Sequence, residues 1–166
     1  MLAVTQIELP NDIVLNAKQI FSKYRSYTNQ WLNVEQIAFG KKYEDKGRAK
    51  IPDGSVRDVV LQMHKMFWEP INLTCNLLYL QKTHPDGVKR HRDPFTDKIQ
   101  TTICYFGEFE GGELCVENPD STFQEIKVRP GTIVKLPCTN ITQGPYHWTK
   151  PHTGNRYSII MNLNKR

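Results

Sequence analysis

The sequence has no long hydrophobic run, no closely spaced cysteine pair and no internal repeat, and each absence excludes a class of protein. No apolar stretch approaches the roughly 18 residues that a membrane-spanning helix requires, and the N-terminus lacks the basic start and apolar centre of a signal peptide. The cysteines, Cys75, Cys104, Cys115 and Cys138, form no C-x-x-C pair, which argues against a structural zinc site or a thioredoxin-type redox centre. We therefore expect a cytoplasmic or nuclear protein, not secreted, with no membrane association and with buried reduced thiols.

The composition is that of an ordinary globular protein. Hydrophobic residues make up 39% of the 166 residues, and this length predicts a single domain over 1–166. Lysine and arginine together number 22 against 17 acidic residues, which gives a formal net charge of +5. This excess favours an anionic partner without identifying one.

Residues 1–70 carry helical patterns. One apolar stripe at helical spacing predicts a first helix, and it consists of Ile13, Val14, Ala17, Ile20, Phe21 and Tyr24. Ser55 and Asp58 have the spacing of a capping box, which predicts that a second helix starts at Ser55 and ends at Pro70. The basic segment 41–50 between them is expected to be an exposed loop or hairpin.

From residue 72 to residue 163 the pattern changes to short runs separated by turn residues, which predicts strands. Gly111-Gly112 and Pro130-Gly131 are the clearest turns. The predicted strands are Leu73 to Leu80, Ile99 to Phe106, Glu113 to Glu117, Phe123 to Val128, Thr132 to Leu136, Gly144 to Trp148 and Arg156 to Asn162. The expected fold class is therefore α+β, with two N-terminal supporting helices packed on a β sandwich.

Candidate metal ligands begin at His91 and Asp93. Residues two apart on a strand point to the same face, so an imidazole nitrogen and a carboxylate oxygen can reach one ion. With His147 downstream, they form a set of two histidines and one carboxylate that suits non-haem Fe(II) oxygenases. Arg156 and Ser158 are again two apart, and a guanidinium beside a hydroxyl suits the far carboxylate of a dicarboxylic acid.

These residues and the motifs between them carry a resemblance to a known superfamily. The segments His91-x-Asp93, Phe106-Gly-Glu-Phe-Glu-Gly-Gly-Glu-Leu114, Pro130-Gly131, His147 and Gly154-Asn-Arg-Tyr-Ser158 resemble, in this order, the double-stranded β-helix (jelly-roll, cupin-like) core of the Fe(II)/2-oxoglutarate-dependent dioxygenases. The Gly-Gly-Glu-Leu phrase is most similar to that of the TET/JBP-like nucleic-acid base hydroxylases. The prolyl-hydroxylase-like group matches less fully, through Gly-Gly-x-Leu, and the AlkB-like enzymes share only the Asn-plus-Tyr strand before His-x-Asp.

The resemblance implies both a reaction and roles for individual residues. The reaction is hydroxylation of a substrate C–H bond with O2, coupled to conversion of 2-oxoglutarate to succinate and CO2. His91, Asp93 and His147 would bind Fe(II), and Arg156, supported by Ser158, would pair with the C5 carboxylate of 2-oxoglutarate. Asn76 and Tyr79 precede the metal motif, and at most one of them should face the co-substrate, because they point to opposite faces of a regular strand.

Several alternatives stay open at this point. His152 is a rival to His147 as the second histidine ligand, and Arg156 could form a structural ion pair instead of binding a co-substrate. A nucleic-acid base is the leading substrate, because Lys89 and Arg90 adjoin the metal motif and suit phosphate contacts. A protein side chain, a small molecule, or a catalytically silent binding module on the same barrel are the other possibilities. The sequence predicts no oligomeric state.

Overall fold

The computed structural model describes the backbone of residues 2–40, 51–75, 77–92, 98–136 and 144–164, and the side chains of all of these except 98–100 and 163–164. The segment 41–50, which was predicted to be a loop or hairpin, lies outside the described residues, as do Asn76, Asp93 and Cys138. The described part consists mainly of two antiparallel sheets and two α-helices.

The helices and strands have the following bounds. The helices are α1 (Ile13–Lys23) and α2 (Ser55–Met63), and α2 continues through a π-helical turn (His64–Trp68) into a 3-10 turn (Glu69–Ile71). The strands are β1 (Ala3–Gln6), β2 (Tyr27–Asn29), β3 (Val34–Phe39), β4 (Leu77–Thr83), β5 (Val88–His91), β6 (Lys98–Gly111), β7 (Leu114–Glu117), β8 (Phe123–Ile126), β9 (Thr132–Leu136), β10 (His147–Thr149) and β11 (His152–Asn164).

The two sheets face each other across a core. The larger sheet has the strand order β1-β9-β6-β11-β4-β3-β2, and the smaller has the order β5-β10-β7-β8. Because side chains alternate along a strand, β11 contributes to two layers. Its residues Ile159 and Met161 pack with the helices, whereas Ile160 packs with Leu114 and Val116 of the smaller sheet. This arrangement is consistent with the predicted jelly-roll-like core.

The predicted strands of the β region all have counterparts, with shifted ends. β9 has the predicted bounds, while β4 begins at Leu77 rather than at residue 73, and β11 is longer than predicted at both ends. The predicted turns are also present, with positive φ at Gly111, Gly112 and Gly131. The alternation of polar and apolar residues between turn residues was therefore a sound guide in this half of the chain.

The prediction of two N-terminal supporting helices is wrong. One short helix, α1, lies at the N-terminus, and strands β1, β2 and β3 share the first 70 residues with it and α2. β3 pairs with β4 from Val34 opposite Thr83 to Phe39 opposite Leu78. Its sequence, Val-Glu-Gln-Ile-Ala-Phe, shows no regular alternation, because side chains on both faces of this strand are buried.

The predicted capping box at Ser55 is also wrong. Gly54 is the N-cap, so Ser55 already lies inside the first turn, and its buried hydroxyl has no hydrogen-bond partner. The cap comes from another helix, because the side-chain Oδ1 of Asn16 on α1 accepts a 2.9 Å hydrogen bond from the Val56 N–H. α2 ends at Met63, before Pro70, which lies in the 3-10 turn that follows.

We expect Asn16→Ala to destabilise the protein by about 1 kcal/mol, the usual cost of losing a capping side chain. The effect is expected at the junction of α1 and α2, because the lost hydrogen bond joins these two helices. Urea unfolding measures it, with Asn11→Ala, at an exposed position before α1, as the control. Equal stability of the two variants would contradict the capping role of Asn16.

The cysteines in the described part of the chain are free thiols, as predicted. Cys104 and Cys115 are buried and Cys75 is half-buried. Burial raises the pKa of the Cys104 thiol to about 12, so this thiol is protonated at neutral pH. In the described ranges, no helix combines the length and the apolar character that crossing a bilayer requires.

Candidate active site

Two of the predicted metal ligands lie side by side. His91 ends β5 and His147 begins β10, and the antiparallel pairing of these strands places the two residues directly opposite each other. Their ring centroids are 4.3 Å apart, with the ring planes inclined by 58°. The structure therefore brings together two histidines that are 56 positions apart in the sequence.

Hydrogen bonds to the backbone orient both imidazoles. Nδ1 of His91 lies 2.7 Å from the Lys89 carbonyl oxygen, and Nδ1 of His147 lies 2.9 Å from the Pro145 carbonyl oxygen. A carbonyl oxygen only accepts, so each Nδ1 must carry the proton, and in a neutral ring the lone pair is then on Nε2. This is the support that metal-ligating histidines commonly receive from a backbone carbonyl.

The third predicted ligand, Asp93, lies outside the described residues, two positions after His91. Within the described ranges, no group of three histidine, cysteine, aspartate or glutamate side chains is arranged to hold a metal ion. The described residues thus provide an imidazole pair of the right chemistry for Fe(II), and the carboxylate stays a prediction.

The inward face of β11 carries a row of buried polar groups. Arg156, Ser158 and Asn162 lie at alternate positions on this strand, and each is 1% exposed. Each also has a buried polar atom without a hydrogen-bond partner, namely Arg156 Nε, Ser158 Oγ and Asn162 Nδ2. Unsatisfied buried donors are costly and uncommon, so Arg156 Nε and Ser158 Oγ, two residues apart on one strand face, suit a polar ligand with acceptor atoms, whereas Asn162 lies too far along the strand to share it.

The Arg156 guanidinium is held in place by its other nitrogens. One terminal nitrogen donates to Thr83 Oγ1 at 3.0 Å, and the other donates to the Gly112 carbonyl oxygen at 3.2 Å. The guanidinium carbon also lies 4.5 Å from the centre of the Tyr105 ring and 5.7 Å from that of Phe109. These contacts leave the group fixed in orientation.

No carboxylate compensates this buried charge among the described residues. The ion pairs of that part of the chain involve other cations, so the interpretation of Arg156 as a structural ion-pair partner finds no support. Burial lowers the pKa of Arg156, although guanidinium groups remain charged in proteins. Burial also raises the pKa of the neighbouring Tyr105 phenol to about 12, against the influence of Arg156, so Tyr105 is neutral at pH 7. The site therefore holds a net positive charge that suits an anionic ligand.

Gly112 makes room for this guanidinium. A Cβ atom on Gly112 would lie 3.0 Å from Arg156 Nε and 3.2 Å from Arg156 Cδ, and the residue has a φ of +69°. The Gly-Gly pair was predicted only as a turn. In the structure its second glycine also provides the space that the buried arginine side chain occupies.

One cavity between the two sheets joins these groups. His91, His147, Arg156, Ser158 and Asn162 all line it. Tyr79 lines it as well, so it is the described member of the predicted pair, while Asn76 lies outside the described residues. The apolar part of the remaining lining includes Val88, Ile103, Tyr105, Leu114 and Leu136. Its polar residues, which the sequence did not single out, include Gln36, Gln81, Thr101 and Thr149.

His152, the rival ligand, lies elsewhere on β11. It is paired with Gly111 rather than with His91, and its ring packs edge-on against Phe109 at 6.4 Å between centroids. The side chain is 6% exposed, and neither ring nitrogen has a hydrogen-bond partner. Burial, then the charge of Arg156, then His84 lower the pKa of His152, so it is neutral at pH 7.

We expect the buried His152 to make the protein sensitive to acid. An unfolded histidine takes up a proton near pH 6.5, and because the folded His152 has a lower pKa, stability falls as the pH drops below about 6.5. The contribution is at most about 1.4 kcal/mol for each pH unit. His152→Leu should reduce the loss of unfolding free energy between pH 7.5 and pH 5.5, whereas His64→Leu, in the π-helical turn that follows α2, should not. Equal acid sensitivity in all three proteins would contradict this.

Asn162 is the site residue that the sequence could have revealed. It continues the alternation of Arg156 and Ser158 along the same strand, and its Oδ1 accepts a 2.7 Å hydrogen bond from Thr101 Oγ1. Gln36 and Gln81 carry no such signal, because they reach the cavity only through the pairing of β3 with β4 and of β4 with β11.

The fold agrees with that of known oxygenases, although the sequence itself matches no protein-family model and has no significant match among curated proteins. A Pseudomonas putida prolyl-4-hydroxylase is similar over 99% of this chain and 92% of its own, with a TM-score of 0.69 and 14% identity. OsALKBH1 is similar over 98% of this chain and 97% of its own, with a TM-score of 0.66 and 9% identity. An oxidoreductase of the 2OG-Fe(II) oxygenase family from Burkholderia pseudomallei is similar over 99% of this chain and 84% of its own, with a TM-score of 0.64 and 11% identity. The chain therefore has the fold of the 2OG-Fe(II) oxygenases.

Proposed function

We propose that this protein is an Fe(II)- and 2-oxoglutarate-dependent dioxygenase, folded as a single domain over 1–166 with its core at 72–163. It hydroxylates a C–H bond of its substrate with O2 and releases succinate and CO2. The observation that carries this proposal is one cavity lined both by the His91 and His147 pair and by the buried Arg156. A ligand with an anionic group for Arg156 and metal-binding oxygens for the other end matches both features, and 2-oxoglutarate is such a ligand.

In this proposal, the predicted site residues bind either the metal or the co-substrate. His91, Asp93 and His147 hold Fe(II), which when bound supplies the activation of O2. Arg156 and Ser158 bind the C5 carboxylate, with charge-assisted hydrogen bonds from the guanidinium. Tyr79, the member of the predicted pair with Asn76 that lines the cavity, contacts the co-substrate along its length.

The apolar part of the lining supports the same chemistry. Ile103, Leu114 and Leu136 come from strands of both sheets and are all buried. They keep water away from the bound carboxylate, and in this dry surrounding the attraction between the carboxylate and Arg156 is stronger than it would be in solvent. The position of the co-substrate is thus set by polar groups and protected by apolar ones.

For the primary substrate we propose a nucleic-acid base, as in the TET/JBP-like enzymes. Lys89 and Arg90 are exposed on β5, the strand that carries His91. The Arg90 and Arg92 guanidinium carbons lie 3.8 and 4.4 Å from the centre of the Tyr146 ring, next to His147. Cations beside the metal ligands suit phosphate groups on either side of a bound base.

A protein side chain is the second candidate substrate. Arg90 donates from Nε and from a terminal nitrogen to Glu117 Oε2, at 2.9 and 2.7 Å, and this ion pair neutralises part of the basic surface. A less basic surface is a weaker attractor for phosphates and suits a neutral or acidic peptide better.

Salt dependence separates these candidates. We expect the protein to bind single-stranded DNA or RNA with an affinity that falls steeply with salt concentration, by a slope of roughly 0.7 to 0.9 per phosphate contact. Replacing Lys89 and Arg90 together by glutamine should reduce this slope by about 1.5. The matched control replaces Lys127 and Arg129 by glutamine and should leave the slope unchanged, because these exposed residues follow β8, the strand at the other edge of the smaller sheet from β5. Absence of binding at low salt would favour the protein side chain.

Product analysis tests the reaction itself. The protein is incubated with Fe(II), 2-oxoglutarate and air in the presence of nucleic-acid and peptide panels, and mass spectrometry follows the gain of one oxygen atom and the formation of succinate. An oxygenated nucleic acid is the expected result. If no panel member gains oxygen and no succinate forms, the protein is a binding module on this fold.

A further inference from the structure

A row of polar side chains crosses the larger sheet and ends in the cavity. Tyr27 on β2 lies opposite Gln36 on β3, Gln36 lies opposite Gln81 on β4, and Gln81 lies opposite Ser158 on β11. Residues directly opposite on neighbouring strands have Cβ atoms about 5 Å apart on the same face, so their side chains can interact. Gln36, Gln81 and Ser158 line the cavity, and Tyr27 is the exposed end of the row.

The hydrogen bonds of this row run in one direction. The Tyr27 hydroxyl donates to Gln36 Oε1 at 2.9 Å, and Gln36 Nε2 donates to Gln81 Oε1 at 2.6 Å. With the Tyr27 hydroxyl as donor, Gln36 presents its oxygen to Tyr27 and its amide nitrogen to Gln81, so Gln81 presents its oxygen to Gln36. Because the carbonyl end of Gln81 is occupied by Gln36, the end that remains to serve the cavity is its amide nitrogen.

The strand register places Gln81 in the same part of the cavity lining as Arg156. Gln81 lies beside Ser158, whose buried Oγ has no hydrogen-bond partner. It is also two residues from Thr83 on the same face of β4, and Thr83 accepts a hydrogen bond from Arg156. An ionised carboxylate has about four acceptor sites and no donor. A corner that offers N–H and O–H groups from three side chains therefore matches a carboxylate.

We propose that Gln81 is a co-substrate-binding residue that donates hydrogen bonds to the C5 carboxylate of 2-oxoglutarate, and that Gln36 and Tyr27 are positioning residues that fix its amide. This inference rests on the proposed function, because it names a contact to the co-substrate of that function. Gln81 would thus be a neutral hydrogen-bond donor beside the charged Arg156, and the hydrogen bonds from Tyr27 at the surface through Gln36 would hold its amide in place.

The test measures binding rather than turnover. Calorimetry follows 2-oxoglutarate binding to the protein loaded with Mn(II) in place of Fe(II), without O2. Gln81→Leu is expected to weaken this binding about tenfold, the usual effect of losing a hydrogen bond to a charged group. Binding of 2-oxovalerate, which has the same chain length but no C5 carboxylate, should be weak in the parent protein and should change less than twofold in the variant.

A second variant guards against a folding effect of leucine in the cavity. Gln81→Glu can still accept from Gln36 but presents a negative charge to the carboxylate, so its loss of 2-oxoglutarate affinity should exceed that of Gln81→Leu. Gln36→Leu, which only frees the Gln81 amide, should cause a smaller loss of about threefold. The matched control is Gln19→Leu on the exposed face of α1, with no loss.

The possible outcomes are distinguishable. If the parent protein binds no 2-oxoglutarate in the presence of Mn(II), the proposed function itself fails. If the parent binds it and both Gln81 variants bind equally well, the proposed function stands and the role of Gln81 is wrong. If Gln81→Leu weakens 2-oxoglutarate and 2-oxovalerate by the same factor, Gln81 supports the shape of the cavity and not the C5 carboxylate.

Discussion

Arg156→Met is expected to weaken 2-oxoglutarate binding about 100-fold while leaving the ligand-free protein at least as stable as before. The loss of affinity follows from the removal of charge-assisted hydrogen bonds, which contribute roughly 1.5 to 3 kcal/mol each. Two such bonds correspond to about 3 kcal/mol, or about two orders of magnitude in Kd. Calorimetry with the Mn(II)-loaded protein measures this loss.

The stability of Arg156→Met is the more unusual part of this prediction. Arg156 is 1% exposed and has no carboxylate partner among the described residues, so the ligand-free fold contains a buried charge without compensation. Replacing buried charges by apolar side chains of similar volume is often stabilising by 1 to 4 kcal/mol. Against this, the substitution loses the hydrogen bonds to Thr83 and to the Gly112 carbonyl. We expect a net gain of about 1 kcal/mol, or a rise of roughly 2 to 4 °C in Tm.

The control for this prediction is Arg129→Met, at an exposed position, which should change neither the affinity for 2-oxoglutarate nor the Tm. A fall of several degrees in the Tm of Arg156→Met would show that the guanidinium is a structural element. Retention of 2-oxoglutarate binding by a folded Arg156→Met protein would remove Arg156 from the co-substrate site.

Replacing either paired histidine should abolish metal binding. Loss of a hydrogen bond that merely supports a metal ligand costs about 10- to 100-fold in metal affinity, and loss of the ligand itself should cost more. We therefore expect His91→Ala and His147→Ala each to weaken Mn(II) binding by more than 100-fold in equilibrium dialysis. Such a loss would show that the two imidazoles, whose ring centroids are 4.3 Å apart, both bind the metal.

His152→Leu is the comparison that matters most in this series. His152 was the rival to His147, and the structure pairs His147 rather than His152 with His91. The His152→Leu variant should therefore bind Mn(II) as tightly as the parent protein does, and so should the His84→Ala variant. A loss of metal binding in His152→Leu with normal binding in His147→Ala would reverse the assignment of the second histidine.

The candidate residues that line the cavity could be proposed from sequence where they have a local pattern, although their roles stay a prediction. Arg156 and Ser158 are two apart on a strand, and this spacing alone places them on one face. His91 and His147 were grouped as candidate ligands by their chemistry and by the motifs around them, whereas their contact depends on the pairing of β5 with β10, which no local pattern shows. The close relation to TET/JBP-like enzymes stays a prediction, because similarity at 9 to 14% identity establishes only the fold.

The elements that sequence analysis missed depend on contacts between distant residues. β3 is buried on both faces, so it lacks the alternation by which a strand is recognised. The cap of α2 comes from Asn16, 40 positions earlier, and no local pattern around Ser55 contains it. In the sequence, Gln81 is only the first of three polar residues that end an otherwise apolar strand, and its place in the site follows from its neighbours Gln36 and Ser158.

The account depends on Fe(II) and 2-oxoglutarate occupying the same cavity, and visible absorption of the anaerobic protein tests this most directly. Titration of the Fe(II)-loaded protein with 2-oxoglutarate is predicted to develop a weak metal-to-ligand charge-transfer band, which arises only when the keto acid binds to the metal. The band should be absent in His91→Ala, and in Arg156→Met it should appear only at about 100-fold higher 2-oxoglutarate concentration. A parent protein that binds Fe(II) and 2-oxoglutarate but develops no band would contradict the shared site, and with it the proposed reaction.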